Sequence, residues 1–329
     1  MVEFLVVCLE GSSGEVLWEK RWQSRGRLEA VHPLQNLATP SCAVDGERVV
    51  AWFGTGQVVC LDTAGEVQWE RHLGEELHEF RLKWGHSSSP VVDRGMVYLL
   101  CDHDPAACFL VLDVGTGDEV WKVERGKGLR SYSTPVLADV GGRRQVVVNS
   151  NPGMDGYDAA TGELVWSWKE FCKVPVPNPT VVDGVMTASR GYGNGPVMVL
   201  DLNGLEGRAD EGAVEWRWGS KAPYVSSPLV AGELVYLSGE NGQVYCVEGA
   251  SGDLVWAEKL GTCFWSSPVG AGGLVYLLDE NGEVVVLREG RELEVVGRNP
   301  MPGEARGSMV VDGGRVLVRT TAGLFCIKG

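Results

Sequence analysis

At 329 residues, with 44% hydrophobic and 22% charged side chains, the chain can bury a large core and has no low-complexity tail. Its formal charge of −15 argues against nucleic acid and against anionic membrane surfaces as partners. No apolar run reaches the roughly 18 residues of a membrane-spanning helix.

The chain opens in a strand. Met1-Val-Glu-Phe-Leu-Val-Val-Cys8 has no basic leader region and no cleavage site, so it does not read as a signal peptide. A turn and a strand ending at Trp18 follow, and from there one pattern recurs. It is clearest at Asp158-Ala-Ala-Thr-Gly-Glu-Leu-Val-Trp166, where a strand meets an Asp-x-x-Thr-Gly turn and a second strand carries a Trp. Asp and Thr can bond the amides of such a turn, and Gly162 can take the positive φ of a tight hairpin. Variants end at Trp18, Trp69, Trp121 and Trp256, a longer loop joins Asp201 to Trp216, and a copy without Trp reaches Val296. The Trp-to-Trp steps of 51, 52, 45, 50 and 40 residues mark one supersecondary unit used many times.

Each unit reads as four strand pieces, A to D. Piece A follows a small residue and Pro, as at Thr39-Pro40, Ser89-Pro90, Thr134-Pro135, Asn178-Pro179, Ser227-Pro228 and Ser267-Pro268, with a degenerate Ser308-Met309. Piece B alternates, as in Leu234-Val-Tyr-Leu237; a turn leads to C, and the Asp-x-x-Thr-Gly turn leads to D. Four-stranded antiparallel units repeated radially make a β-propeller. The fold expected is therefore all-β, a single β-propeller domain over residues 1–329. Seven A, B and D pieces against eight C pieces favour seven blades, with an incomplete eight-bladed type as the alternative. Closure is expected from the termini: the Trp18 strand is placed in the sheet of Ser308 to Val318, with Leu324–Ile327 beside Arg315–Val318. Phe4–Cys8 is then left outside Trp18 or pairing with another chain.

Nine cysteines do not make a disulfide framework once placed in the repeat. Cys8, Cys60, Cys246 and Cys326 hold one position in four different units, too far apart to bridge, and read as small core residues. Cys42, Cys101, Cys108, Cys172 and Cys263 are scattered without any C-x-x-C, so no zinc site is expected. All nine are expected as free thiols.

The hairpin and the Ser-Ser-Pro-Val-Val start of the blades resemble the pyrroloquinoline-quinone-type propeller repeat over essentially the whole chain. That superfamily includes quinoprotein alcohol dehydrogenases, the lipoprotein of the outer-membrane β-barrel assembly machine, and uncharacterised, mostly exported bacterial proteins. The resemblance implies that Trp18, Trp69, Trp121, Trp166, Trp216 and Trp256 are structural, each docking on the next blade. It also implies a periplasmic or exported location. The dehydrogenases use adjacent cysteines, a catalytic Asp and a Glu/Asn/Asp calcium set. This chain has no Cys-Cys pair, so no cofactor is expected, pyrroloquinoline quinone included.

Other chemistry is weaker. His86 precedes Ser87 to Ser89 in a way that could suggest a nucleophile, but Ser-Ser-Pro recurs at Ser226 and Ser266 without any His. Asp102-His103-Asp104 and the run from Asn149 to Asp155 could ligate a metal; both read as polar turns, and no metal is expected. The loops before the A pieces carry bulky groups, and Trp84, His86, Tyr132, Tyr224, Phe264 and Trp265 are candidates for a recognition rim at the channel mouth. The function expected is a non-catalytic scaffold that binds protein partners, with no catalytic residues and with self-association through a terminal strand edge. The alternative is a quinone- or metal-dependent oxidoreductase using the channel mouth.

Overall fold

The computed structural model describes every residue except Met1, Arg27, Glu29, Ala30, His32, Leu34, Gly191, Gly193, Asn194, Ser220, Lys221 and Gly329. The chain is an all-β, seven-bladed propeller of small antiparallel sheets. A two-stranded ribbon, β1 (Glu3–Leu9) and β2 (Val16–Gln23), precedes the blades. Blade 1 holds β3 (Ala43–Val44), β4 (Arg48–Trp52), β5 (Gln57–Asp62) and β6 (Val67–His72), followed by a single helical turn, α1 (Leu73–Glu76). Blade 2 holds β7 (Val91–Asp93), β8 (Met96–Asp102), β9 (Ala107–Asp113) and β10 (Glu119–Gly126). Blade 3 holds β11 (Val136–Val140), β12 (Arg143–Ser150), β13 (Gly153–Asp158) and β14 (Leu164–Lys169).

Blade 4 holds β15 (Thr180–Val182), β16 (Val185–Ser189), β17 (Val197–Asp201) and β19 (Val214–Trp218). Its long C-to-D loop contains a two-residue strand, β18 (Gly207–Arg208), and a 3-10 turn. Blade 5 holds β20 (Leu229–Ala231), β21 (Leu234–Ser238), β22 (Gln243–Glu248) and β23 (Leu254–Lys259). Blade 6 holds β24 (Val269–Ala271), β25 (Leu274–Leu278), β26 (Glu283–Arg288) and β27 (Val295–Pro300). The seventh sheet has three strands, β28 (Val310–Asp312), β29 (Arg315–Thr320) and β30 (Gly323–Lys328). The chain forms two compact units, one of residues 1–137 with 144–175 and the other of residues 138–143 with 176–329.

The hairpin chemistry is as its residues dictate. Asp158 Oδ1 accepts from the amides of Ala160 and Thr161 at 3.0 and 2.9 Å, and Gly162 takes φ +75°. Asp113 does the same for Gly115 and Thr116. Burial then joins sheets face to face. In the first unit Val50, Val58 and Cys60 of blade 1 pack with Val97, Leu110 and Leu112 of blade 2. Tyr98 and Phe109 on the other face of blade 2 pack with Val146 and Tyr157 of blade 3. In the second unit Tyr236, Val244 and Cys246 pack with Val275 and Val285.

The Ser-Ser-Pro serines stitch neighbouring blades at their A strands. In the first unit the Ser41 amide donates to Ser89 Oγ and the Ser89 amide to Thr134 Oγ1, at 2.9 and 3.0 Å. In the second, the amides of Asn178, Ser227 and Ser267 donate to the hydroxyls of Ser227, Ser267 and Ser308, each at 2.9 Å. The serine one position earlier turns inward instead: Ser266 Oγ donates to the Leu278 carbonyl at 2.6 Å.

The termini depart from expectation in two respects. Leu324–Ile327 lies beside Arg315–Val318, as the spacing requires. But the Trp18 strand does not join that sheet; β2 pairs with β1, with Cys8 opposite Trp18. Nor is Phe4–Cys8 left outside. Phe4 and Val6 are buried against Ala51, Phe53, Val59 and Leu61 of blade 1, and the Phe4 and Phe53 rings stack at 4.4 Å. A short turn closes the β1–β2 hairpin at little entropic cost, and its apolar face gains a sheet to pack on. The four equivalent cysteines divide accordingly: Cys60 and Cys246 are fully buried, Cys8 is half-buried and Cys326 is exposed.

Candidate functional site

Two stretches that read separately as polar turns, Asp102-His103-Asp104 and Asn149 to Asp155, meet in the first unit. The B strands β8 and β12 end there, and Arg125 reaches in from the end of β10. The Arg125 side chain is only 1% exposed. Its Nε donates to Asp102 Oδ1 at 2.8 Å and its terminal nitrogens lie 3.2 Å from Asp155 Oδ2 and 2.9 Å from Ser150 Oγ. A terminal nitrogen also donates to the Tyr157 hydroxyl, and Ser150 Oγ donates to Asp102 Oδ2. Burial alone would lower the guanidinium's pKa, but Asp102, Tyr157 and Asp155 more than reverse this and raise it. Burial pushes the Tyr157 hydroxyl up to about 12, so it stays a neutral phenol.

The carboxylates that could have held a cation hold a guanidinium instead. Asp104 turns away to Arg130 at 2.8 Å. Among the described residues no three His, Cys, Asp or Glu side chains converge as a metal site would require.

Beside Asp102, His103 forms a pair with His86. The Nδ1 of His86 and the Nε2 of His103 are 2.9 Å apart, and both rings are buried. The Trp52 ring lies 4.0 Å from His86 and the Phe80 ring 4.0 Å from His103, both tilted, with His78 at the edge. Burial drives the His86 pKa down to about 3, against a weaker opposing bond to the Ser88 backbone. Burial also depresses His103 well below its usual value, and His86 and His78 add to this. Both rings are therefore neutral at pH 7. Trp52 Nε1, His78 Nε2, His86 Nε2, Ser88 Oγ and His103 Nδ1 are buried without a hydrogen-bond partner. Ser87 Oγ donates to the Tyr132 carbonyl and Ser89 Oγ accepts from Ser41. Neither hydroxyl is engaged with His86, so no nucleophile–base pair is formed.

The rim candidates differ in exposure. In the first unit His86 and Tyr132 are buried, while Trp84 is half-buried with Lys83 Nζ 4.6 Å over its ring. In the second unit Phe264 is fully buried in the core of blades 5 and 6. Tyr224 and Trp265 are half-buried; Glu240 accepts from the Tyr224 amide at 2.8 Å and Glu280 accepts from Trp265 Nε1 at 3.1 Å. Sequence reading missed the Arg125 network. No sequence signal marks it, since Arg71, Arg217 and Arg298 stand on other D strands.

The family model described as outer membrane protein assembly factor BamB matches residues 3–194 and 241–327. The chain belongs to that family. BamB from Moraxella catarrhalis is similar in structure, with 17% identity and a TM-score of 0.71, covering 98% of this chain and 90% of that one. The quinohemoprotein alcohol dehydrogenase of Comamonas testosteroni is similar at 13% identity and TM-score 0.68, covering 97% and 68%. The Dos1 propeller follows at 13% and 0.64, covering 85% and 75%. At these identities the likeness to BamB and to the dehydrogenase alike is one of fold. No curated protein sequence matches this chain.

Proposed function

We propose that this protein is a non-catalytic scaffold that binds protein partners during assembly of outer membrane proteins, in an exported location. The observation that carries the reading is membership of the BamB family over most of the chain. The half-buried loop aromatics, Trp84 in one unit and Tyr224 and Trp265 in the other, are the proposed partner-contacting groups, with self-association through a terminal strand edge as a further contact.

The quinone-dependent alternative has only the fold likeness to the dehydrogenase behind it. The residues do not fit its cofactor. The sequence has no adjacent cysteines, and the buried acids Asp102 and Asp155 are engaged by Arg125. Incubating the protein with pyrroloquinoline quinone and calcium, then removing free quinone, should leave no bound chromophore and no alcohol-dependent dye reduction. A stoichiometric bound chromophore with such activity would overturn the scaffold reading.

A further inference from the structure

Cys101 and Cys108 have no relation in sequence, but the fold makes them partners. They sit directly opposite one another on the two inner strands of blade 2, β8 and β9. Both side chains face the same core, with Cys60 and Leu99. Directly opposed antiparallel residues have Cα atoms roughly 4.5–5.5 Å apart. That falls within the roughly 4.4–6.8 Å a disulfide spans. No other two cysteines are paired in strand register among the described residues.

We propose that Cys101 and Cys108 are a disulfide-forming pair, oxidised as the chain folds in an oxidising compartment. The oxidant is a protein or small-molecule disulfide. The thiolate of one cysteine attacks a sulfur of the oxidant, giving a mixed disulfide and releasing one thiol. The second cysteine then attacks the first cysteine's sulfur, forming the cross-strand bond and releasing the second thiol. Two thiols lose two protons and two electrons, and the oxidant is reduced to two thiols. The bond ties the ends of β8 and β9 beside Asp102 and the loop that carries His103, and so holds the buried polar site in place.

Timing follows from burial. Both residues are at most 3% exposed, and burial with the neighbouring Cys108 raises the Cys101 pKa well above that of an ordinary thiol. The native dithiol is therefore slow to react, and oxidation belongs to the folding chain. Cleavage after Arg94 and Lys122 releases Gly95–Lys122, which contains these two cysteines alone. The denatured wild-type protein would be refolded in oxidised and reduced glutathione, then denatured again and alkylated before cleavage and mass measurement. The proposal expects this peptide unalkylated and lighter by two hydrogens than the dithiol form, while in the Cys108→Ser variant the remaining Cys101 takes up alkylating agent. A wild-type peptide alkylated twice, or carrying glutathione, overturns it.

Discussion

The indole nitrogen of Trp69, on the last strand of blade 1, donates to the carbonyl of Val114 in blade 2 at 2.9 Å. The same bond joins Trp18 to Thr63 and Trp121 to Ala159, and in the second unit Trp216 to Gly249 and Trp256 to Gly290. The indole of Trp69 lies over the turn glycine, where a Cβ on Gly117 would come within 2.7 Å of the ring. Trp69→Ala should therefore cost about 3–5 kcal/mol and Gly117→Ala about 1–3 kcal/mol in urea unfolding. Wild-type stability in both would remove the Trp from its role as an inter-blade anchor.

Trp166 takes another course. It is fully buried, and its Nε1 donates to Gln145 Oε1 of its own sheet at 2.9 Å. The opposite residue on β13 is Gly156, where a Cβ would come within 2.2 Å of the indole. Gly156→Ala should thus destabilise as much as or more than Gly117→Ala, because the ring has no solvent side to move toward. Chemical denaturation of the two variants side by side tests this, and a smaller loss at Gly156 would contradict it.

The Arg125 network predicts a sharp asymmetry between single and double changes. Arg125→Met leaves Asp102 buried without its cation and should cost about 3–5 kcal/mol. Combining it with Asp102→Asn removes the more deeply buried of the two stranded charges, Asp155 keeping Lys169 at 3.7 Å, and should recover a large part of that loss. A double-variant loss equal to the sum of the Arg125→Met and Asp102→Asn losses would show that the pair is not coupled.

Much of this was legible in the sequence. The Thr-Gly turns and their Trp spacing specify the blades, because turn chemistry and period-two alternation are local properties. The count of seven A pieces and eight C pieces matches the strands found. What escaped was non-local. Asp102, Arg125 and Asp155 come from three strands, and no spacing announces that they meet. Cys101 and Cys108 become neighbours only through the register of β8 and β9. The site of β1 turned on a competition between strand edges that composition cannot rank.

Acid should weaken the protein through His86. Its folded pKa of about 3 lies below the ordinary value of 6.5, so the unfolded chain binds the proton first. The stability from keeping this ring neutral is full above pH 6.5 and is lost as pH falls from there toward 3, at up to about 1.4 kcal/mol per pH unit. His86→Asn should flatten that slope between pH 6.5 and 4, as read from denaturant midpoints. An unchanged slope would place the titrating group elsewhere.

The scaffold account is tested most directly by binding. Sedimentation velocity or calorimetry of the purified chain with the other purified components of an outer-membrane protein assembly machine should show a saturable complex, with a Kd of about 10 μM or tighter. Alanine at Trp84, or at Tyr224 and Trp265, should weaken that complex without lowering the melting temperature by more than a few degrees. No complex with any component, from protein that is folded and monodisperse, would contradict the account.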